Sequence, residues 1–570
     1  MKAGEALLRE GAASRALYLV VSGRFHVYEQ GASRPVAEIG TGSSIGEIGF
    51  FSGSPRTATV SAARDSLVLR LKREDFDALC RRLPELWPDV AAMLAQRLLR
   101  IKTVDPLFET SGTRTIAVCH AGPETCPDAV LQDLCQPFRE ASSCRVLTAQ
   151  MLGDEVPRAG RRRDHAVTRW LNDQEANHDF LFFVADADLS DWSQLAIRHA
   201  DMVLFVGMAP AQGTQSPVPL NKLERYAQEV RRADAQRLVL VHGHDGEIDG
   251  TRHWLAGRKL HMHHHVTGGS AGDYRRVARF IRGKALGLVA CGGGAFCSAH
   301  IGVFQAFNEA GITFDILGGT SGGAAMVGAY AKGADPDELD RRTHDMFVTK
   351  AALRRATLPR YSLLDHKVFD DCLAENFGTT RIEDLRIPYF AVATNLSRNR
   401  LENLREGPLW RGIRASGAIP GLLPPVYTAE GEMLVDGSLL DNVPLATMRE
   451  LKSGPNVIVN FQPPELIVNN VDYDALPSRA RLIKSLFLPF LRRGLPKAPW
   501  PGSILTRSLS VKREDFSGLL TGDDLVLEPP LPQDMSILDW NRHSELKQLA
   551  FDYACKEIAR LRKAGHPALS

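Results

Sequence analysis

The stretch ILGGTSGGAAMVGAY, Ile316 to Tyr330, sets a serine among glycines as Gly319-Thr320-Ser321-Gly322-Gly323. In a G-x-S-x-G pattern the small neighbours let a strand turn sharply into a helix, and the serine hydroxyl stands exposed at the turn. The first N–H groups of such a helix have no partner within it and face an incoming oxygen. A second glycine run, CGGGAFC, follows the apolar stretch ALGLVA and opens another helix. With no Cβ at Gly292, Gly293 or Gly294, the N–H groups there can approach an anion closely, either a phosphate or the oxyanion of a tetrahedral intermediate. Asp436, in GEMLVDGSLLDNVPL, directly follows a third apolar run and precedes Gly437. A carboxylate at a strand end can take the serine proton without a histidine between them. With an ordinary pKa of about 4 it is a weak base, so the pair must be close and partly desolvated.

Other readings of the same residues exist. Gly292-x-Gly294 also opens a dinucleotide-binding fingerprint, with Asp315 at about the spacing of the ribose-binding acid. Cys297 then stands where a third glycine or alanine is expected, and the turn at Ser321 goes unexplained. His543 follows Asp436 and satisfies the order Ser…Asp…His of a triad on an α/β-hydrolase. Its setting, DWNRHSELK, reads as a helix start, which predicts a surface histidine. Most Asp-Gly pairs are turn caps, the bland reading of Asp436.

The elements that must hold these residues come in a strand–loop–helix–strand–turn order from Ala285 to Gly323. PYFAVAT and GEMLVDG read as further strands, and NVIVNF is expected to close the sheet. Upstream, TIAVC, FLFFVA, MVLFVG and RLVLVH alternate with helical stretches, the pattern of a parallel sheet. Residues 1 to about 72 read as short strands of a β-roll, and a helical period follows to about Lys102, with Phe76, Leu79, Leu83, Met93, Leu94 and Leu98 at helical intervals. KTVDPLFETSGTR reads as a linker. The divisions expected are 1–105, 113–282, 284–462 and 463–570, in keeping with ~150 residues per domain.

Composition narrows the function classes. Of 570 residues, 44% are hydrophobic and 24% charged, and the net charge of +2 argues against a nucleic-acid partner. Nine cysteines without CxxC pairs point to a reducing compartment rather than a disulfide framework. The N-terminal residues lack a signal-peptide pattern, and no apolar run reaches the ~18 residues of a membrane span. The expectation is a cytoplasmic protein that meets a membrane, if at all, peripherally at the inner surface.

LVACGGGAFCSAHIGV, GGTSGG, RASGAIPGLLPPV and LVDGSLLDNVPL, in that order, resemble the patatin-like phospholipase family. More narrowly they are similar to the bacterial relatives of neuropathy target esterase. TTRIEDLRIPYFAVATNL, REGPLWRGIRAS and LHMHHHV extend the resemblance over almost the whole chain. It implies an α/β fold: a patatin-like hydrolase domain whose parallel-rich sheet has helices on both faces, preceded by a β-roll cyclic nucleotide-binding-like domain and an α/β middle domain. It also implies a serine esterase acting on phospholipids or lysophospholipids, with Ser321 as nucleophile, Asp436 as base and Gly292, Gly293 and Gly294 as oxyanion hole. No metal or other cofactor is required. The chain departs from the family where Phe296 and Cys297 replace an arginine and a glycine, and mildly at Ser438. Those departures leave open a catalytically weakened or silent, nucleotide-responsive scaffold of the same fold.

IGEIGFFSGSPRTATVSA resembles the phosphate-binding cassette of cyclic nucleotide-binding domains. Arg56 offers a fork of donors to a cyclic phosphate, Glu47 can accept from a ribose hydroxyl, and Gly46 and Thr57 complete the cassette. The effector implied is cyclic AMP or cyclic GMP. The middle domain resembles a degenerate P-loop module and lacks G-x-x-x-x-G-K-[ST], so no nucleoside-triphosphate hydrolysis is expected of it. His261, His263, His264 and His265 invite a metal, but neighbours on a strand face opposite ways and no Cys or carboxylate joins them at ligand spacing. Finally, 478–502 holds Arg479, Arg481, Lys484, Arg492, Arg493 and Lys497 and no acid. Leu482, Ile483, Leu486, Phe487, Phe490 and Leu491 alternate among them, as in a membrane-surface segment.

Overall fold

The computed structural model describes residues 1–2, 4–28, 35–84, 87–88, 90, 115–156, 163–210, 213–243, 246–462, 471–488, 495–496, 498–499, 504, 516–532 and 535–569. The expected helical positions Met93, Leu94 and Leu98, and the linker after Lys102, lie outside them.

The N-terminal β-roll packs two antiparallel sheets face to face. One has the order Ala6–Leu8, Thr59–Ala62, Arg24–Tyr28, Ala37–Gly40; the other runs Ser44–Ile45, Ala16–Ser22, Leu67–Lys72. Alternation turns Val20, Phe25, Ile39 and Val60 inward into one small core. The helix Arg73–Arg82 follows, with Phe76 buried while Leu79 and Leu83 stay exposed.

The middle sheet has six parallel strands in the order Met262–Thr267, Gln236–His242, Met202–Met208, Thr115–His120, Phe180–Val184, Cys144–Leu147. Both faces are covered by helices, giving two separate cores, one around Trp170, Phe183 and Trp254, the other around Phe138, Phe182 and Tyr274. The near-continuous apolar strands are what burial on both faces demands.

The third sheet runs Val426–Tyr427, Met433–Asp436, Tyr389–Asn395, Ile316–Thr320, Gly287–Ala290, Asn456–Val459, Leu525–Leu527, with Arg400–Leu404 also paired to Tyr389–Asn395. The last five of the ordered strands are mutually parallel. NVIVNF does not close this sheet. Asn456–Val459 is interior because Leu525–Leu527, from beyond the expected hydrolase boundary, pairs outside it. The same C-terminal stretch supplies the helix His543–Lys563, which lies along Ala299–Glu309 so closely that a Cβ on Gly302 would meet the Lys547 carbonyl at 2.0 Å.

Buried polar contacts lock the three units together. The Arg64 guanidinium of the roll reaches Glu175 at 2.9 Å and Asp201 at 3.1 Å in the middle unit. His263 and His265 both hydrogen-bond the Glu383 carbonyl at 2.9 Å, and Arg386 donates to Thr267 at 2.8 Å.

Candidate active site

A strand has two edges, and this decides where Ser321 and Asp436 meet. Arg400–Leu404 occupies one edge of Tyr389–Asn395 over Ala391 to Asn395. The other edge is shared. Ile316–Thr320 pairs in parallel up to Thr320 opposite Val392, and Met433–Asp436 runs the opposite way and ends at Asp436 opposite Ala393. Two strand C-termini therefore meet head-on at adjacent rungs of one ladder. Ser321 follows immediately, and its Oγ donates to Asp436 Oδ2 at 2.7 Å.

The turn is strained in the way the motif requires. Ser321 has φ 54° and ψ −124°, the left-handed half of the map that a residue with a side chain rarely enters. Its N–H is held by Ser416 Oγ at 2.8 Å, and Ser416 in turn donates to the Val392 carbonyl at 2.7 Å. Gly323 is forced by close approach, since a Cβ there would lie 2.3 Å from the Cys291 carbonyl. Asp436 is fixed as firmly. Its Oδ1 accepts from the Ser438 N–H at 2.9 Å and Ser438 Oγ at 2.8 Å. Burial pushes its carboxyl above the usual aspartate value of 3.8, partly offset by the donors from Ser321 and Ser438. No cation touches it among the described residues.

The glycine loop divides its work. The Gly292 N–H is taken by the Asn442 side chain at 3.1 Å, so it is not a free oxyanion donor, contrary to the expectation from sequence. The N–H groups of Gly293 and Gly294 have no partner among the described residues. Gly294, at φ 57°, must be glycine, because a Cβ would sit 2.3 Å from the Ile537 carbonyl, which also accepts from the Ala295 N–H at 2.8 Å. His300, buried and with its pKa pushed down to about 4 by desolvation, braces the loop through the Cys291 carbonyl at 3.0 Å. Phe296 and Cys297 both turn into the core, and the Cys297 sulfur packs where a Cβ on Gly322 would be 2.7 Å away. Sequence reasoning passed over Asn442, Ser416, His300 and Ile537. Asn442 and His300 stood in the motif stretches themselves, whereas nothing local marks Ile537.

Ser321 opens into an apolar cavity of about 880 Å³, counting its mouth to solvent. Met326 and Ala329 of the helix Gly322–Ala331 line it together with Phe347, Phe369, Leu423 and Trp540. From Leu353, which lines the cavity, the chain runs on to Leu358, 85% exposed, and Tyr361, 75% exposed, among Arg354, Arg355 and Arg360.

Other candidates resolve differently. His543 is not on the surface: it is buried, bonded to Asp340 at 2.7 Å and to His344 at 3.1 Å, with no contact to Ser321 or Asp436. Asp315 lies at the opposite end of the sheet from the glycine loop, bound by Arg279 at 2.5 to 3.1 Å and by the Leu286 N–H. A ribose acid would stand at the loop end, so the dinucleotide reading fails. The histidines of HMHHH make contacts to backbone carbonyls, apart from His264, whose ring lies against Phe280, and His265, which also meets His242. Among the described residues no group of three potential ligands could hold a metal.

In the β-roll, Gly46 takes φ 82° and leads into the short helix Glu47–Ser52. Glu47 is buried and Thr57 exposed. Arg56 does not present its fork outward: it donates to the Gly46 carbonyl at 2.6 Å and the Ala16 carbonyl at 2.5 Å. Of the basic stretch 478–502, the helix Arg479–Phe487 leaves Leu482 and Ile483 exposed. The side chains of Leu486, Phe487, Phe490, Leu491, Arg492, Arg493 and Lys497 lie outside the described residues. Among the described residues no helix is long and apolar enough to cross a membrane.

Family models match each of the three units in turn. Residues 288–449 match the family model of the patatin-like phospholipase, 131–283 that of the neuropathy target esterase family P-loop-like domain, and 1–83 that of the cyclic nucleotide-binding domain. Lysophospholipase nte1 of Neurospora crassa is 28% identical over 99% of this chain and 42% of its own length. Patatin-like phospholipase domain-containing protein 6 of Pongo abelii is 27% identical over 79% of this chain and 37% of its own. The chain thus spans about two fifths of the length of the curated relatives it matches. It joins a cyclic nucleotide-binding domain, a neuropathy target esterase family P-loop-like domain and a patatin-like phospholipase domain in that order, and is similar over most of its length to proteins named lysophospholipase nte1.

Proposed function

We propose that this protein hydrolyses carboxylic esters of phospholipids or lysophospholipids through a Ser321–Asp436 dyad and an acyl-serine intermediate. The observation that carries the reading is the 2.7 Å contact of Ser321 Oγ with a buried, cation-free carboxylate at the mouth of an apolar cavity. Asp436 accepts the proton as Ser321 Oγ bonds to the ester carbon. The resulting oxyanion is held by the N–H groups of Gly293 and Gly294, a contribution of about 10²–10³ in rate per donor in other hydrolases. Collapse breaks the ester bond, and the proton passes from Asp436 to the departing alkoxide. Water then repeats the sequence on the acyl-serine, leaving a fatty acid and free Ser321. The acyl chain lies in the cavity, whose lining side chains are apolar apart from Ser321, Arg342, Thr343 and Asn376.

The substrate reaches the site from a lipid surface. Leu358 and Tyr361 enter the apolar layer, with Arg354, Arg355 and Arg360 at the headgroups, and the exposed face of Arg479–Phe487 adds a second contact. A cyclic nucleotide acts on the β-roll as effector and must draw Arg56 away from the two carbonyls it holds.

A fluorophosphonate probe and a lysophospholipid panel test the reading together. Ser321 labels and the lysophospholipids are cleaved in the wild type, and both are lost in Ser321→Ala. Failure of the wild type to label would instead favour the silent scaffold. Cyclic AMP and cyclic GMP titrations read on the same hydrolysis assay test the effector.

A further inference from the structure

A second cavity, of about 1100 Å³ counting its opening to solvent, lies where the three units meet. The β-roll contributes Arg24 and Arg64, the middle unit Arg231, Arg232 and Arg237, and the hydrolase side Ser453. Three acids line it too, and each already has a guanidinium. Glu38 pairs with Arg24 at 2.8 Å, Asp201 with Arg64 at 3.1 Å, and Asp234 with Arg232 at 3.1 Å. Two arginines remain. Arg231, 7% exposed, donates only to carbonyls among the described residues, those of Ala63, Arg198 and Asp201; its Nε has no hydrogen-bond partner there, and the carboxylates of Asp201, Asp234 and Asp65 reach it only through their charge. Arg237, 8% exposed, has neither Nε nor Nη1 partnered by any described residue.

An uncompensated buried charge is among the costlier features a fold can retain, since desolvation is not returned by a partner. Burial lowers both guanidiniums to about 10; at Arg231 Asp201 partly offsets it, whereas at Arg237 no acid does and the like charge of Arg405 adds to the effect. Both therefore stay cationic at neutral pH. Neighbouring His261 and His264 are kept neutral by burial and by Arg237 itself, so they supply no counter-charge. We propose that this junction cavity binds a small phosphorylated anion on the Arg237 and Arg231 guanidiniums. The unpartnered Nε and Nη1 hydrogens of Arg237 point in different directions, and each can give a charge-assisted hydrogen bond to an oxygen of a phosphorylated anion. Because all three units wall the cavity, its occupant favours their assembled arrangement over any state in which they separate. The site is distinct from the Gly46–Arg56 cassette and from the Ser321 cavity, and it does not depend on the ester chemistry proposed for the latter.

The test is calorimetric titration of the full chain with inorganic pyrophosphate at fixed ionic strength, with melting temperatures alongside. Saturable binding at one site per chain is expected, weakened about tenfold or more in Arg237→Gln, the scale of a lost charge-assisted pair. Arg237→Met gives a second signature. Without phosphate it melts at or above the wild type, because an unpaired buried charge has gone; in saturating pyrophosphate it melts below it. Should Arg237→Gln fold poorly, Ser453→Trp narrows the mouth from an exposed position and is expected to weaken binding without touching the buried charges. A phosphomonoester lipid offers the same oxygens, so vesicles of phosphatidic acid form a separate arm, in which Arg237-dependent binding would assign the site to a headgroup instead of a soluble anion. Absence of saturable binding in both arms, or equal pyrophosphate affinity in wild type, Arg237→Gln and Ser453→Trp, overturns the proposal.

Discussion

The strand Ile316–Thr320 has a buried aspartate at one end, Asp315, and delivers Ser321 to a second, Asp436, at the other. The two carboxylates differ in what they face. Asp315 meets a guanidinium through three contacts of 2.5 to 3.1 Å, plus a backbone N–H. Asp436 meets two hydroxyls and one N–H. A carboxylate bound by arginine and a backbone N–H serves to pin the start of its strand. One stabilised only by neutral donors keeps its basicity, and burial increases it. The same residue type in the same sheet thus gives a clamp at one end and the proposed proton acceptor at the other.

The comparison is broken most directly at the acceptor. Ser321→Ala and Asp436→Asn should each reduce lysophospholipid hydrolysis on the order of 10⁴-fold or more while melting curves stay near wild type. A modest loss in Asp436→Asn would remove the carboxylate from the chemistry. At the other end, Asp315→Asn should reverse the pattern. It leaves Arg279 half-buried without its partner and is expected to cost about 2–3 kcal/mol in denaturant unfolding, with the rate per folded molecule unchanged. Next in size is the proposed lipid contact of Leu358 and Tyr361. Leu358→Asp should weaken vesicle binding about tenfold, as for an apolar side chain no longer buried in the bilayer, and leave hydrolysis of a soluble short-chain ester intact.

The finest distinction is in pH. A base acts only when ionised, and burial raises the Asp436 carboxyl. Hydrolysis is therefore present above that raised value and lost as pH falls through it, so the acid limb stands higher than for an ordinary aspartate. Ser438→Ala removes a donor that favours the charged form and should move the limb further up. A limb that moves down, or stays put, contradicts the account of Asp436.

Much of this was legible in the residues because backbone geometry restricts them. Only glycine tolerates the approaches at Gly294 and Gly323, and a serine among glycines at a strand end leaves few conformations to choose from. The alternating α/β pattern fixed the parallel middle sheet for the same kind of reason, since strands buried on both faces must be apolar. What could not be read depended on pairings remote in sequence. Asn442 lies 150 residues from the Gly292 N–H it occupies, and Ile537 is farther still from Gly294. His543 looked like a helix-start surface residue because its partners, Asp340 and His344, come from another helix about 200 positions away. Arg56 carried the right chemistry, yet its direction depends on two carbonyls that no local pattern announces. Arg237, at the head of an apolar strand, was the one visible anomaly that passed unremarked.

The hold of Ile537 on the glycine loop has a bearing on how the molecule is made. The carbonyl that shapes the Gly294–Ala295 turn and the strand Leu525–Leu527 both lie far downstream of the serine turn. Synthesis therefore presents Ser321 well before the segment that shapes its neighbouring glycine loop, and a chain interrupted between the two would carry the serine turn without that support.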